Sequence, residues 1–129
     1  MSFFKHELKV LLRKILGRVR PSAYILLKDG DKFLLVQEMI GLIVGLWGLP
    51  GGGMKKGESP EDAAKREARE EVGYEIEIER EIESYEDKKR SSIRHVFLGK
   101  IVGGELKHQK LELMDAKWLT MDEIIELKD

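Results

Sequence analysis

The sequence predicts an α+β domain, and three observations carry that reading. Ser59 to Val72 contains no glycine, opens Ser-Pro-Glu-Asp and stops at Gly73, which are the start and stop signals of a helix. Tyr74, Ile76 and Ile78 alternate with Glu75, Glu77 and Glu79, a period of two that puts apolar side chains on one face of a strand and leaves the other acidic and wet. Further strand-like and helix-like segments interleave without strict βαβ spacing, which separates this chain from a parallel α/β sheet.

The elements follow in order. Phe4, Leu8, Leu11, Leu12 and Ile15 fall on one stripe of a helix, so residues 1–20 read as an amphipathic basic helix that packs on the domain or, in a homodimer, on a second copy of it. Residues 21–129 form the domain proper. Ser22 to Lys28 and Phe33 to Gln37 are rich in aliphatic and aromatic residues and flank Asp29-Gly30, whose tolerance of positive φ suits a hairpin turn. After the glycine-punctuated stretch Gly41 to Gly53 come the capped helix and the alternating strand. Ile93 to Val102 is a further strand, Gly103-Gly104 a turn and Ala116 to Leu119 a short strand. Thr120 to Leu127 is a C-terminal helix with Glu123 three residues after its capping Thr120.

Composition narrows the chemistry. A chain of 129 residues supports one core rather than two, and 42% hydrophobic with 36% charged residues excludes a disordered tail or a collagen-like fibre. With no cysteine there is no disulfide, thiolate metal site or thiol nucleophile, so reactive groups must be oxygen or nitrogen. Residues 1–20 carry a formal charge of +5 (six basic residues against Glu7), which leaves −6 for the rest of a chain whose total is −1. That total gives no bias toward RNA or an anionic membrane. The apolar stretch Met39 to Pro50 is too short to span a bilayer, and charged residues interrupt any signal-peptide core, so a cytoplasmic location is expected. Abundant Lys and Glu with no asparagine fit a heat-adapted source.

Glu67, Glu70 and Glu71 lie at i, i+3 and i+4 of the expected helix, within an arc of roughly 100°. Their mutual repulsion turns into attraction around a divalent cation, and hard oxygen donors select Mg²⁺, Mn²⁺ or Ca²⁺ over Zn²⁺. Spacing alone fits a solvated helix face laced with Lys and Arg better than a metal site. Gly51-Gly52-Gly53, just ahead of the helix, permits close backbone approach to a ligand, or only a tight connection. Among other residues, His95 reads as a packed or hydrogen-bonded strand residue, and His6 and His108 share no ligand spacing with it. Trp47 and Trp118 read as core, and Met39 and Met54 as gap fillers. Tyr24, Tyr85 or Phe97 is the aromatic surface expected to stack on a nucleobase.

Taken together, these residues resemble the Nudix hydrolases. Their box, G-x5-E-x7-R-E-U-x-E-E-x-G-U with U aliphatic, is matched in register by Gly52, Glu58, Arg66, Glu67, Glu70, Glu71 and Gly73. Ala68 and Tyr74 at the two U positions depart in size and character, at sites of packing rather than ligation. Leu46 to Gly51 also resembles the family's lead-in. The resemblance implies a mixed β-sheet sandwiched between α-helices and a metal-dependent attack of water on a nucleoside diphosphate linked to a group X. It implies Mg²⁺, with Mn²⁺ as a substitute, held by Glu67, Glu70, Glu71 and the Gly52 carbonyl. Glu70 or Glu67 activates water, Arg66 and Glu58 support the site, and Gly51, Gly52 and Gly53 meet the substrate. A further acid outside the box is expected at Glu112, with Glu105 next.

For substrate, the short chain resembles the branch that converts a nucleoside triphosphate to monophosphate and pyrophosphate. Lys89 and Ser91 stand where a proline would suggest ADP-ribose and a tyrosine dinucleoside polyphosphates. No asparagine is present to read an oxidised guanine. The alternatives are a nucleoside diphosphate sugar, ADP-ribose included, or an RNA 5′ end. Beyond these stands a nucleotide-sensing module without catalysis, which would not need all three box carboxylates.

Overall fold

A computed structural model of the chain describes residues 21–38, 46–87, 92–107 and 113–127. The elements are β1 (Ser22–Asp29), β2 (Lys32–Glu38), β3 (Trp47–Gly48), β4 (Gly51–Gly53), α1 (Pro60–Val72), β5 (Tyr74–Asp87), β6 (Ser92–Gly104), β7 (Leu113–Thr120) and α2 (Met121–Glu126). The strands run in the order β3-β2-β1-β6-β5, with β4 added to β1 and β7 to β2. The β1–β6 pair is parallel and the others antiparallel, so the sheet is mixed, as expected.

Strand β1 organises the domain. Its first half pairs with β4 on one side and β6 on the other, through Ala23↔Gly52 and Ala23↔His95, and its far end turns at Gly30 into β2. Ala23, Ile25 and Leu27 are fully buried and alternate with Ser22, Tyr24 and Leu26. Against the buried face pack Ala63, Ala64, Ala68 and Val72 of α1, joined by Phe97, Leu34, Val36, Ile76 and Ala116. Small alanines let the helix axis approach the sheet, which holds the helix close to β4 as well. α1 begins where the sequence says it should: Ser59 Oγ accepts from the Asp62 N–H at 3.0 Å, and Gly73 ends it in the left-handed conformation at φ 81°. The Thr120–Glu123 capping box likewise starts α2.

Several expectations change. Gly103 and Gly104 are not a turn but the last residues of β6, paired with Glu75 and Tyr74. β5 runs on to Asp87, well past the alternating segment, because register shifts at Ile78/Arg80 and Glu81/Glu83 break the period of two without ending the pairing. β7 starts at Leu113 rather than Ala116, and β3 and β4 have no counterpart in the sequence reading. Phe97, 1% exposed in the core, is closed to a nucleobase. Trp118 packs against the core and meets Tyr74 edge-to-face at 6.3 Å, whereas Trp47 is half-buried at the periphery with Lys117 Nζ over its ring at 5.8 Å. Met54 packs against the core. The helix expected in residues 1–20, with His6, lies outside the described residues, as do Met39, Lys89, Ser91, His108 and Glu112 and the side chain of Tyr85. Among the described residues no helix is long and apolar enough to cross a membrane.

Candidate active site

The site forms where the β4 edge meets α1. Strand β4 is bound to the body of the domain at both ends, by the Ile25 N–H to the Pro50 carbonyl and the Met54 N–H to the Pro21 carbonyl, each 2.9 Å. Its glycines serve close approach. At Gly51, φ 151°, a Cβ would run into the Ala23 carbonyl oxygen and come within 2.7 Å of Tyr24 Cα. At Gly52 a Cβ would stand 3.0 Å from Glu67 Oε1 and 3.2 Å from its Cδ. The bare backbone of the loop therefore lies directly against a glutamate of the helix.

Arg66 is the hub of the side chains. Its Nε donates to Glu58 Oε2 at 2.7 Å and its Nη2 to Glu58 Oε1 at 3.0 Å, a two-pronged pair that suits the planar guanidinium. Nη1 donates to Glu67 Oε1 at 2.9 Å and to Glu70 Oε2 at 3.2 Å, and Nη2 reaches the Gly53 carbonyl at 3.1 Å. One side chain thus ties together the glycine strand, Glu58 just ahead of the helix cap and two of the three glutamates. The third, Glu71, accepts the Gly51 N–H at 2.9 Å on Oε2.

Burial sharpens the picture. Glu67 and Glu71 are each only 4% exposed, on the margin of the helix face that the alanines bury. Desolvated carboxylates are tolerated where donors or cations meet them. The hydrogen bond from Arg66, helped by the Lys55 N–H, outweighs burial at Glu58 and holds its carboxyl down at about 2. The reciprocal bond to Glu58, with Glu67 adding to it, raises Arg66 further above its usual range.

Six of the seven box residues are therefore in one neighbourhood, while Gly73 caps the far end of α1. The expected arc of glutamates exists, but no three acidic or histidine side chains converge on a common point among the described residues. Arg66 Nη1 gathers Glu67 and Glu70, whereas the Gly51 N–H engages Glu71 separately. The donors still suit a hard cation in kind: three carboxylates within five residues of helix, with a glycine backbone packed on one of them. Glu105 does not belong to this group; it is exposed after β6 and pairs with Lys107 Nζ at 3.2 Å. His95 Nδ1 lies 3.2 Å from Glu81 and its ring stacks on Phe97, a packed strand residue as expected. A cleft of about 570 Å³ lies at the far end of β1, between its turn and Tyr74, Leu98, Lys100 and Trp118. It is roughly 20 Å along the strand from Ala23 and, of the box, touches only Tyr74, none of the glutamates, Arg66 or the glycine strand.

Two additional interactions were not legible in the sequence, the Gly53 carbonyl on Arg66 and the Gly51 N–H on Glu71. Both are backbone groups, whose roles leave no trace in residue identity beyond the run of glycines.

Comparison with known proteins gives the chain's relatives. The NUDIX domain family model matches residues 18–129. A Bacillus subtilis protein named as a candidate 8-oxo-dGTP diphosphatase is 38% identical over 96 residues, covering 74% of this chain and 62% of that protein. The 8-oxo-dGDP phosphatase NUDT18 of Homo sapiens is 38% identical over 97 residues, covering 73% of this chain and 30% of that protein. This chain thus spans less than two thirds of either relative. A crystal structure of an ADP-ribose pyrophosphatase from Streptococcus suis superposes with a TM-score of 0.68 at 28% identity, covering 80% of this chain and 75% of that one.

Proposed function

The chain belongs to the NUDIX domain family, and on that premise we propose that it is a Mg²⁺-dependent pyrophosphohydrolase that cleaves a nucleoside triphosphate to monophosphate and pyrophosphate. The observation that carries the reading is the Arg66 hub, which gathers Glu58, Glu67, Glu70 and the Gly53 carbonyl beside a glycine strand. Glu67, Glu70 and Glu71 would hold the ion together with the Gly52 carbonyl, and Mn²⁺ would substitute. Glu112 is proposed as a further oxygen ligand from outside the box. A hard cation supplies charge screening for the phosphates and a lowered pKa for water.

The chain's own groups do the rest. The side chain of Glu70, 39% exposed, is the most accessible of the three and accepts the proton of the attacking water. Glu67 shares the Arg66 Nη1 donor with it and is the alternative base. The water oxygen bonds to phosphorus, the bridging P–O bond breaks, and pyrophosphate leaves. Arg66 and Glu58 touch no substrate; they hold the carboxylates against their mutual repulsion. The Gly51–Gly53 backbone admits phosphate oxygens where side chains would exclude them.

The relatives named for 8-oxo-dGTP and 8-oxo-dGDP support a nucleotide substrate carrying a guanine-type base. With no asparagine in the chain, base reading falls to other groups, and half-buried Gln37 on β2 offers the same paired donor and acceptor. The likeness to an ADP-ribose pyrophosphatase supports a second reading, a nucleoside diphosphate sugar. Product analysis with Mg²⁺ separates them. Pyrophosphate from a triphosphate panel supports the first, sugar phosphate supports the second, and tight binding without any hydrolysis would replace both with a sensing role.

A further inference from the structure

We infer that residues 1–20 form a helix that covers the outer face of β1 and β6 of its own chain. The face is set by alternation. Ala23, Ile25 and Leu27 point to the side that α1 covers, so Tyr24 and Leu26 point to the other, and the parallel register places Val96 beside Tyr24 and Leu98 beside Leu26. Four apolar side chains therefore form one patch in the middle of the sheet, all half-buried. The two described helices lie elsewhere, α1 against the opposite face and α2 along β7. Central strands of a mixed sheet with apolar residues on both faces call for cover on both.

The sequence names the occupant. Phe4, Leu8, Leu11, Leu12 and Ile15 make one apolar stripe along about 17 Å of helix, a length comparable to the patch. Gly17 comes two residues after the end of the stripe as a natural helix stop, and only Leu16 to Arg20 separate the stripe from Pro21 at the head of β1. So short a connection keeps the stripe at high local concentration over its own strand, ahead of any second copy. The charges agree, +5 for residues 1–20 against −6 for the remainder. Tyr24 pairs with Gly51, so the covering helix would also border the glycine strand of the active site.

The absence of cysteine makes the test clean, because every disulfide in a variant is an engineered one. In the full chain, Leu8→Cys or Leu12→Cys is combined with Leu26→Cys or Leu98→Cys, and Arg13→Cys, on the polar side of the expected helix, serves as control. Mild oxidation should convert most of at least one stripe pair to a linked monomer, with the control left reduced. Linkage only between chains would hand the face to a second copy and overturn the proposal, as would linkage from Arg13→Cys alone or from no pair. Independently of any disulfide, the full-chain double variant Leu8→Asp, Leu12→Asp should raise the fluorescence of a hydrophobic dye several-fold and lower the Tm. Unchanged dye binding and Tm would equally overturn it.

Discussion

Arg66 and Arg69 sit three residues apart on the same helix, and the Nε of each meets a glutamate at nearly the same distance, 2.7 Å to Glu58 and 2.8 Å to Glu75. Their surroundings differ. The Arg66 side chain is 15% exposed and its partners Glu58 and Glu67 are 14% and 6%, whereas Arg69 and Glu75 are both more than half exposed. Arg69 has water as an alternative to Glu75, so its pair adds little beyond what solvent supplies. Arg66 binds carboxylates that have largely left water, and removing it leaves buried like charges facing one another. Identical chemistry on one helix thus yields a surface ornament at one position and the organiser of a site at the other.

Four experiments test that contrast. The largest effect is expected on turnover: Glu70→Gln keeps the shape and one acceptor for Arg66 but loses the base, so hydrolysis should fall about 10²–10⁴-fold with the circular dichroism unchanged. An equal rate in the variant would remove Glu70 from the chemistry. Next, Arg66→Ala should lower stability by about 3–5 kcal/mol in urea melts, the usual result of breaking a buried charge cluster by one partner. Added Mg²⁺ should restore part of the loss by replacing the missing positive charge, and a variant as stable as the parent would make Arg66 no different from Arg69.

Third comes pH. The Glu58 carboxyl is held at about 2, below its ordinary 4.5, so its contribution is complete above pH 4.5 and fades as pH falls from there through about 2. Glu58→Gln should therefore cost about 1.5–3 kcal/mol at neutral pH, and the two melting curves should approach each other toward pH 2. A constant gap across that window would contradict the assigned cause. Smallest of all, Arg69→Ala should change stability by less than about 1 kcal/mol, vanish into the noise at high salt and leave turnover untouched.

What the sequence made legible was local. Ser59, Pro60 and Gly73 mark α1 by the chemistry of its unsatisfied ends, and the helical period alone brings Glu67, Glu70 and Glu71 to one side. Illegible were the features set by distant partners. β4 is three glycines with no side-chain pattern, and it is a strand only because Ser22 to Tyr24 pair with it. The register shifts of β5 erase the alternation on which a strand is recognised. Phe97 and Trp47 look equally apolar in the sequence, yet the parallel pairing of β6 with β1 buries the first while the second stays at the rim. The split of partners, Arg66 for Glu67 and Glu70 and the Gly51 N–H for Glu71, likewise follows from tertiary contacts that no spacing encodes.

Mn²⁺ binding to the full chain, followed by the loss of the free-ion signal in electron paramagnetic resonance, interrogates those glutamates without reference to any substrate. The expected result is at least one ion bound per chain, with binding lost when Glu67, Glu70 and Glu71 are all replaced by glutamine and retained in Arg69→Ala. Undiminished binding in the triple variant would contradict the assignment of the ion to this helix.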